Sequence, residues 1–317
     1  MQISRIVLPV RPQPDTILAI YLLRHFGGKD FPGADKADIS LNPNADKEKF
    51  EDHIKKGELL IDVGEGPFNH HGTGESTTAS FLVARYLRIE NDPALSKLLR
   101  YAERDDKFGL GTLSKDPLNK AFGLSGLIGS LNKQFPSDPS KVVNVVIPLM
   151  EAHHMEEVRR IYELPKAYED LKKEGKAIEM RLGNLRAVLI ESDNISLPGY
   201  LRAQAGGRYD IVVQRRSSGH VNILSRPQKN EKIPLGRLAA IIRGTELLTR
   251  TGENPQIEYD VLAAPAKIKE VPNWYYDPAT NSIQNGGVNI DSTEATAIPW
   301  DRFTEIMEVA FEEEKAL

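Results

Sequence analysis

Cysteine does not occur in the 317 residues. Disulfides, thiolate metal sites and a cysteine nucleophile are therefore excluded. Long apolar runs are missing too. No stretch approaches the roughly 20 residues that a membrane-spanning helix needs, so no membrane association is expected. The opening "MQISRIVLPVRPQPD" has an apolar run too short for a signal peptide, interrupted by proline and arginine, and a cytoplasmic location is the expectation. Neither sign of charge dominates. Lys and Arg number 41 against 45 Asp and Glu, a net charge of −4, so no global attraction to nucleic acid or anionic membranes is expected. Internal repeats and low-complexity segments are also absent.

What is present reads as α/β. "ISRIVLPV" (Ile3–Val10) is β-branched and apolar, which predicts a buried strand; "DTILAIYLLRHFGG" follows with helical spacing, closed by Gly27–Gly28. "KADIS" near Ile39 predicts a second strand, "ELLID" (Glu58–Asp62) a third, and "ESTTASFLVARYLRI" a helix after it. Strands alternating with helices predict a mostly parallel sheet with helices on both faces. Helices are expected from about Asp92 to Gly183, with a break or kink at Pro165. From "RAVLIE" (Arg186–Glu191) strands return. "YDIVVQRR" and "HVNILS" predict a hairpin over "SSG", "IPLGRLAAIIRGTELL" a helix, "NWYYDPATNSIQNGG" two short strands about a turn, and "PWDRFTEIMEVAFEEE" a closing helix. The expected organisation is an α/β domain over 1–184 and a smaller α+β domain over 185–317.

Two aspartates stand where such a sheet binds ligands. Asp15 follows the first strand and Asp62 ends the "ELLID" strand; the carboxyl ends of parallel strands open on one edge. Asp15 reads equally as a helix cap. His70 and His71 arrive on the loop eight residues after Asp62. Carboxylates with imidazole suit Mn²⁺ or Mg²⁺, which polarise a phosphoryl oxygen and activate water. Asp105 and Asp106 in "ERDDKFG" offer a further ligand or a solvated helix end. In "GTGEST", the backbone of Gly72, Thr73 and Gly74 ahead of a helix suits a phosphate, with Ser76 or Thr77 as the alternative reading of a plain cap. The P-loop lysine and a full G-x-G-x-x-G are missing. Arg215, Arg216, Arg226, Arg237 and Arg243 are candidates for a phosphate-binding patch or are scattered surface charges. Trp274, Tyr275 and Tyr276 either stack a base or pack a small sheet, and the latter is expected. His153–His154 reads as a solvated helix face; His25 and His53 read as structural.

Four of these stretches, in order and rough spacing, resemble the DHH phosphoesterase superfamily. "PVRPQPDTILAIYLL" resembles its first motif, "LLIDVG" its second, "FNHHG" the name-giving Asp-His-His, and "ERDDKFG" the fourth, over about the first 110 residues. The sequence departs from the family where Pro9 replaces the first-motif histidine, Gln13 the first aspartate, and Asn69 the Asp of Asp-His-His. The resemblance implies one retained metal site, with Asp15, Asp62, His70 and Asp105 or Asp106 as ligands, and one dismantled site. It implies His71 as the contact to substrate phosphate, with Asp62 and His71 at the catalytic centre. "IVVQRRSSGHVNILSRP" and the helix after it are similar to the family's substrate-binding domain. Ser225–Arg226 fits that likeness, whereas "RGTE" (Arg243–Glu246) stands in place of its glycine-histidine motif. The implied function is a divergent metal-dependent phosphoesterase acting on a phosphate ester of a nucleotide or short single-stranded nucleic acid, with Arg215 and Arg226 on the substrate. The alternative is a catalytically inactive nucleotide-binding regulatory protein. A homodimer is the assembly expected.

Overall fold

Three short apolar runs pair side by side as the sheet of the N-terminal half. The computed structural model describes residues 2–71, 77–226, 232–286 and 292–312. Strand β1 (Arg5–Leu8) is followed by helix α1 (Pro14–Phe26), β2 (Asp38–Leu41), α2 (Phe50–Lys55) and β3 (Glu58–Leu60). The order is β2-β1-β3, and both pairings are parallel. Side chains alternate across the sheet. Ile6 and Leu8 join the main core, whereas Val7 packs with Ala45, Leu60, Val63 and Phe50 of α2 on the other face. Helix α1 is buried at every position from Pro14 to Leu23, as an all-round apolar helix must be. It lies at the centre of the core beside α3 (Ala79–Tyr86), α4 (Ser96–Phe108) and, beyond α5 (Pro117–Ala121) and α6 (Leu124–Gln134), α7 (Pro139–Val158).

A π-helical turn (Arg159–Glu163) separates α7 from α8 (Leu164–Lys173). Pro165 has no N–H and its ring crowds the turn before it, which explains the widening. The chain divides in this turn, into Met1–Ile161 and Tyr162–Leu317. The division lies well before the boundary expected at 184. The reason is β4 (Ala177–Leu182), a strand whose charged residues hid it, paired along its whole length with β5 (Leu185–Glu191).

The second unit continues through α9 (Leu197–Arg202), β6 (Ile211–Arg215), β7 (Val221–Ser225), α10 (Gly236–Thr251), α11 (Tyr259–Leu262), β8 (Ala266–Lys267), β9 (Trp274–Asp277), β10 (Ser282–Asn285) and α12 (Arg302–Phe311). Its sheet runs β4-β5-β6-β7-β10-β9-β8; β5 with β6 is the parallel pair among the described strands. By length this unit, Tyr162–Leu317, is slightly the shorter, although its sheet has seven described strands against three. Ala187 and Leu189 face α10 and α12, and Val188 and Ile190 face α8 and α9. The expected hairpins β6–β7 and β9–β10 are present. Trp274 is fully buried, so it packs the sheet and offers no stacking face. Among the described residues no helix is long and apolar enough to cross a membrane.

His154 departs from the expected solvated face. It is 3% exposed and its Nδ1 lies 2.7 Å from Tyr21 Oη. Val146, Met150 and His154 recur at intervals of four along the inner face of α7. Burial, then His25 nearby, pushes the His154 pKa down. The unfolded chain therefore binds its proton more readily than the folded chain does. The stability this residue contributes is whole above about pH 6.5 and is lost as pH falls below it. Urea midpoints at pH 7.5 and 5.5 are expected to differ less in His154→Leu than in the wild-type protein. An unchanged difference would show that this imidazole is not the proton acceptor.

Candidate metal centre

The chain leaves β3 through a strained residue. Asp62 has φ of 59°, a left-handed conformation that aspartate tolerates better than most side chains. Its N–H donates to Phe68 O at 3.0 Å, closing the loop that carries the histidines. Asn69 fixes the end of that loop. Its Nδ2 donates to Gly64 O at 2.6 Å and its Oδ1 accepts the His71 N–H at 3.0 Å. The Asn69 amide is thus committed to holding the backbone.

The two imidazoles then converge on Asp62. His70 Nε2 lies 3.1 Å and His71 Nε2 3.2 Å from Asp62 Oδ1, and His70 Nε2 is 3.7 Å from Asp106 Oδ2. One ligand atom from each of Asp62, His70 and His71 falls within 4.8 Å of the others, and the same holds for Asp15, His70 and Asp106. Asp62 Oδ1 is buried, and among the described residues no donor meets it in hydrogen-bond geometry although both nitrogens stand at contact distance. Ligand atoms about 2.1 Å from an octahedral cation stand about 3.0 Å apart along an edge. The 3.1 and 3.2 Å spacings are close to that edge and the 3.7 Å spacing exceeds it, and carboxylate with imidazole is a donor set for divalent cations. These Asp and His groups could hold a metal ion.

Asp106 rather than Asp105 faces this point. On α4, Leu98, Ala102 and Asp106 are four residues apart, and the first two are buried. Gly109, with φ of 61°, ends the helix directly after. Asp105 points elsewhere, against Gly111, where an added Cβ would lie 2.7 Å from Asp105 Oδ1. The spacing of four from Leu98 and Ala102 was the sequence signal that separates the pair.

Asp15 does not cap its own helix, whose N-cap is Gln13. It sits in the first turn of α1 and is 2% exposed. Its Oδ2 accepts Ala79 N–H at 2.9 Å; its Oδ1 accepts Ser80 N–H at 3.0 Å and the Ser80 hydroxyl. The carboxylate therefore occupies the N-terminus of α3 while lying beside His70 and Asp106. Thr78, not Thr77, is the capping residue, accepting Phe81 N–H through Oγ1; Ser76 lies outside the described residues. Ser80 is a supporting residue that pattern reading missed. The first amides of α3 are filled by Asp15, which removes them as a phosphate cradle. Gly72, Thr73 and Gly74 lie outside the described residues.

The electrostatics reflect crowded acids. Burial, and then Asp15 and Asp106, push the Asp62 pKa up to about 6 against the pull of both histidines. Burial, and then Asp15, also raise Asp106. A cation at this point relieves both effects.

The arginines of the second unit divide by role. Arg243 is 1% exposed and donates to the carbonyls of Leu262, Ala264 and Ala266, so it belongs to the core and not to a phosphate patch. Arg226 pairs with Asp210 at 2.7 Å, and Arg237 reaches Glu312 O at 3.1 Å. Arg215 stays half-exposed, 3.4 Å from Glu191.

No family model matches the chain, and no curated protein matches it. Among solved structures, an uncharacterized protein from Helicobacter pylori G27 aligns over 98% of this chain and 99% of its own, at 11% identity and a TM-score of 0.24. The DHH domain of a member of the s1p family of ribosomal proteins aligns over 97% of this chain and 85% of its own, at 13% identity and a TM-score of 0.22. Scores this low leave the site to be read from the chain's own residues.

Proposed function

We propose that the first unit holds a single divalent cation, Mn²⁺ or Mg²⁺, through Asp62, His70, Asp106 and Asp15, and hydrolyses a phosphate ester of a nucleotide or short single-stranded nucleic acid. The approach of His70 Nε2 to both Asp62 Oδ1 and Asp106 Oδ2 carries this reading. The bound ion supplies Lewis acidity and a water of lowered pKa. The chain's residues divide the remaining work. Asp62, Asp106 and Asp15 gather negative charge at a largely buried point, His70 bridges two of them, and Ser80 with the α3 amides orients Asp15. His71 is 63% exposed, so it is the group open to an incoming phosphoryl oxygen, to which a ring N–H donates. The motif order that resembles the DHH superfamily supports phosphate esters as the substrate class.

The second reading, a nucleotide-binding protein without turnover, is favoured by Pro9, an exposed Gln13 and a committed Asn69, which leave no side chains of the usual kind for a second ion. Calorimetry with Mn²⁺, followed by assay on bis(p-nitrophenyl) phosphate and short oligonucleotides, separates the two. One ion per chain with ester cleavage is expected. Asp106→Asn should weaken Mn²⁺ at least about tenfold, with Asp105→Asn unchanged. Binding without cleavage of any ester would leave the regulatory reading standing, and no binding at all would remove both.

A further inference from the structure

The second unit contains a separate charged cleft at the place its topology favours. Strands β5 and β6 are parallel and joined through α9, and their last residues, Glu191 and Arg215, are register partners. Two strand carboxyl ends thus lie side by side, the geometry at which α/β sheets take ligands. A cleft of about 330 Å³ opens there between the loops that leave the two strands, lined by Arg215, Arg216, Lys176, Glu191, Ser192 and Asp193.

The cleft is rigidly built. Gln214 is 2% exposed, and its Nε2 donates to Ser192 O at 2.7 Å and Asn194 O at 3.0 Å, pinning the first loop. Asp193 Oδ1 accepts Ser217 N–H at 2.9 Å, tying the second loop to the first. Asp193 is therefore already engaged, and the Ser217 hydrogen bonds hold its pKa below the ordinary carboxylate value. Ser192 Oγ accepts Asn194 N–H at 3.1 Å, which leaves its hydroxyl proton to donate. Arg216 Nε is buried, and among the described residues it meets no acceptor. Of the cations around the cleft, Lys176 is paired with Glu174 at 2.8 Å and Arg215 lies 3.4 Å from Glu191.

We infer that the β5–β6 cleft is a binding site for a phosphoryl dianion, with Arg216 and Arg215 as its principal donors and Lys176 and Ser192 in support. A guanidinium can present paired donors to an oxyanion, and a phosphoryl group brings enough acceptors for both arginines. The ligand is free phosphate or the terminal phosphate of a larger molecule. This site requires nothing of the metal centre, and either stands without the other.

The test is titration of the full chain with inorganic phosphate in the presence of EDTA, so that the metal centre plays no part. Saturable binding of one phosphate per chain is expected, with backbone amide shifts concentrated at Ser192, Asp193 and Ser217. Arg216→Gln and Arg215→Gln should each weaken it about tenfold or more, the loss of one charge-assisted hydrogen bond. Arg302→Gln, an exposed arginine outside the cleft, should leave it unchanged. A parallel titration with phenyl phosphate assigns the ligand: tighter binding marks a carried phosphoryl group, and equal or weaker binding marks the free ion. Absence of saturable phosphate binding, or binding undiminished in both arginine variants whose circular dichroism matches the wild type, would overturn the site.

Discussion

Asp62→Asn is expected to abolish Mn²⁺ binding and, at the same time, to raise the stability of the metal-free protein. The first effect follows from the centre of the site. Asp62 is the group that both histidines approach, and an amide is a poor ligand beside a carboxylate. The loss should exceed the 10- to 100-fold that supporting residues of metal sites typically cost, so about 100-fold or more. The second effect follows from what the carboxylate endures without a cation. It is largely buried, repelled by Asp15 and Asp106, and held at φ of 59°. Its folded-state pKa, about 6, is above the ordinary 3.8. The folded state therefore binds this proton more tightly than the unfolded state, and stability is lost as pH rises from about 4 through 6. At pH 7.5 the metal-free protein bears the full penalty, about 3 kcal/mol. Asparagine removes the charge and suits the left-handed backbone. In EDTA the variant should melt several degrees higher than the wild type, whereas with Mn²⁺ the wild type should gain stability and the variant should not. A variant that melts lower in EDTA would mean that the aspartate has a structural role instead.

The parts of the fold that were legible are those governed by local spacing. β1, β2 and β3 are β-branched or leucine-rich runs between turn residues, and their parallel pairing follows from the helices between them. Asp62 was legible because an apolar strand running into Asp-Val-Gly has one place to send its last side chain. What stayed hidden depends on contacts distant in sequence. Asp15 accepts from Ala79 and Ser80, more than sixty residues away, and nothing near Asp15 announces the second helix. β4 was hidden because Glu179 and Arg181 alternate with apolar residues at a sheet edge, where solvent permits them. Polar residues on inner helical faces misled more sharply. His154 on α7 and Arg243 with Glu246 on α10 occupy buried positions of a helical stripe, but a charged or imidazole side chain is by default assigned to the surface.

Glu246 shows how much such a residue can hold together, and Glu246→Ala is expected to be the most destabilising single change in the second unit. It is 0% exposed. Its two oxygens accept from Asn273 Nδ2 at 2.9 Å, Trp274 Nε1 at 3.1 Å, Ala297 N at 3.0 Å, Arg250 Nε at 2.6 Å and the Thr296 hydroxyl. The single carboxylate thereby joins α10 to the start of β9 and to the segment leading into α12. These bonds outweigh burial and hold its pKa below the usual carboxylate value. Alanine would leave the indole and amide donors buried without acceptors and a cavity beside Trp274, and would remove the partner of Arg250 in α10. Breaking a buried charged network of this kind costs about 3–5 kcal/mol. For a unit of this length that corresponds to a fall in melting temperature on the order of 10 °C. Glu246→Gln keeps the shape and one acceptor oxygen but turns an amide toward donors, so its loss should be about half as large. Calorimetric unfolding of both variants checks the order. Mn²⁺ affinity below the transition should be unaltered, because every proposed ligand lies in the first unit. If alanine and glutamine were equally tolerated, with a shift of only a degree or two, the donors around Glu246 would have to be satisfied by other means, and the carboxylate would not be what secures the β9 edge.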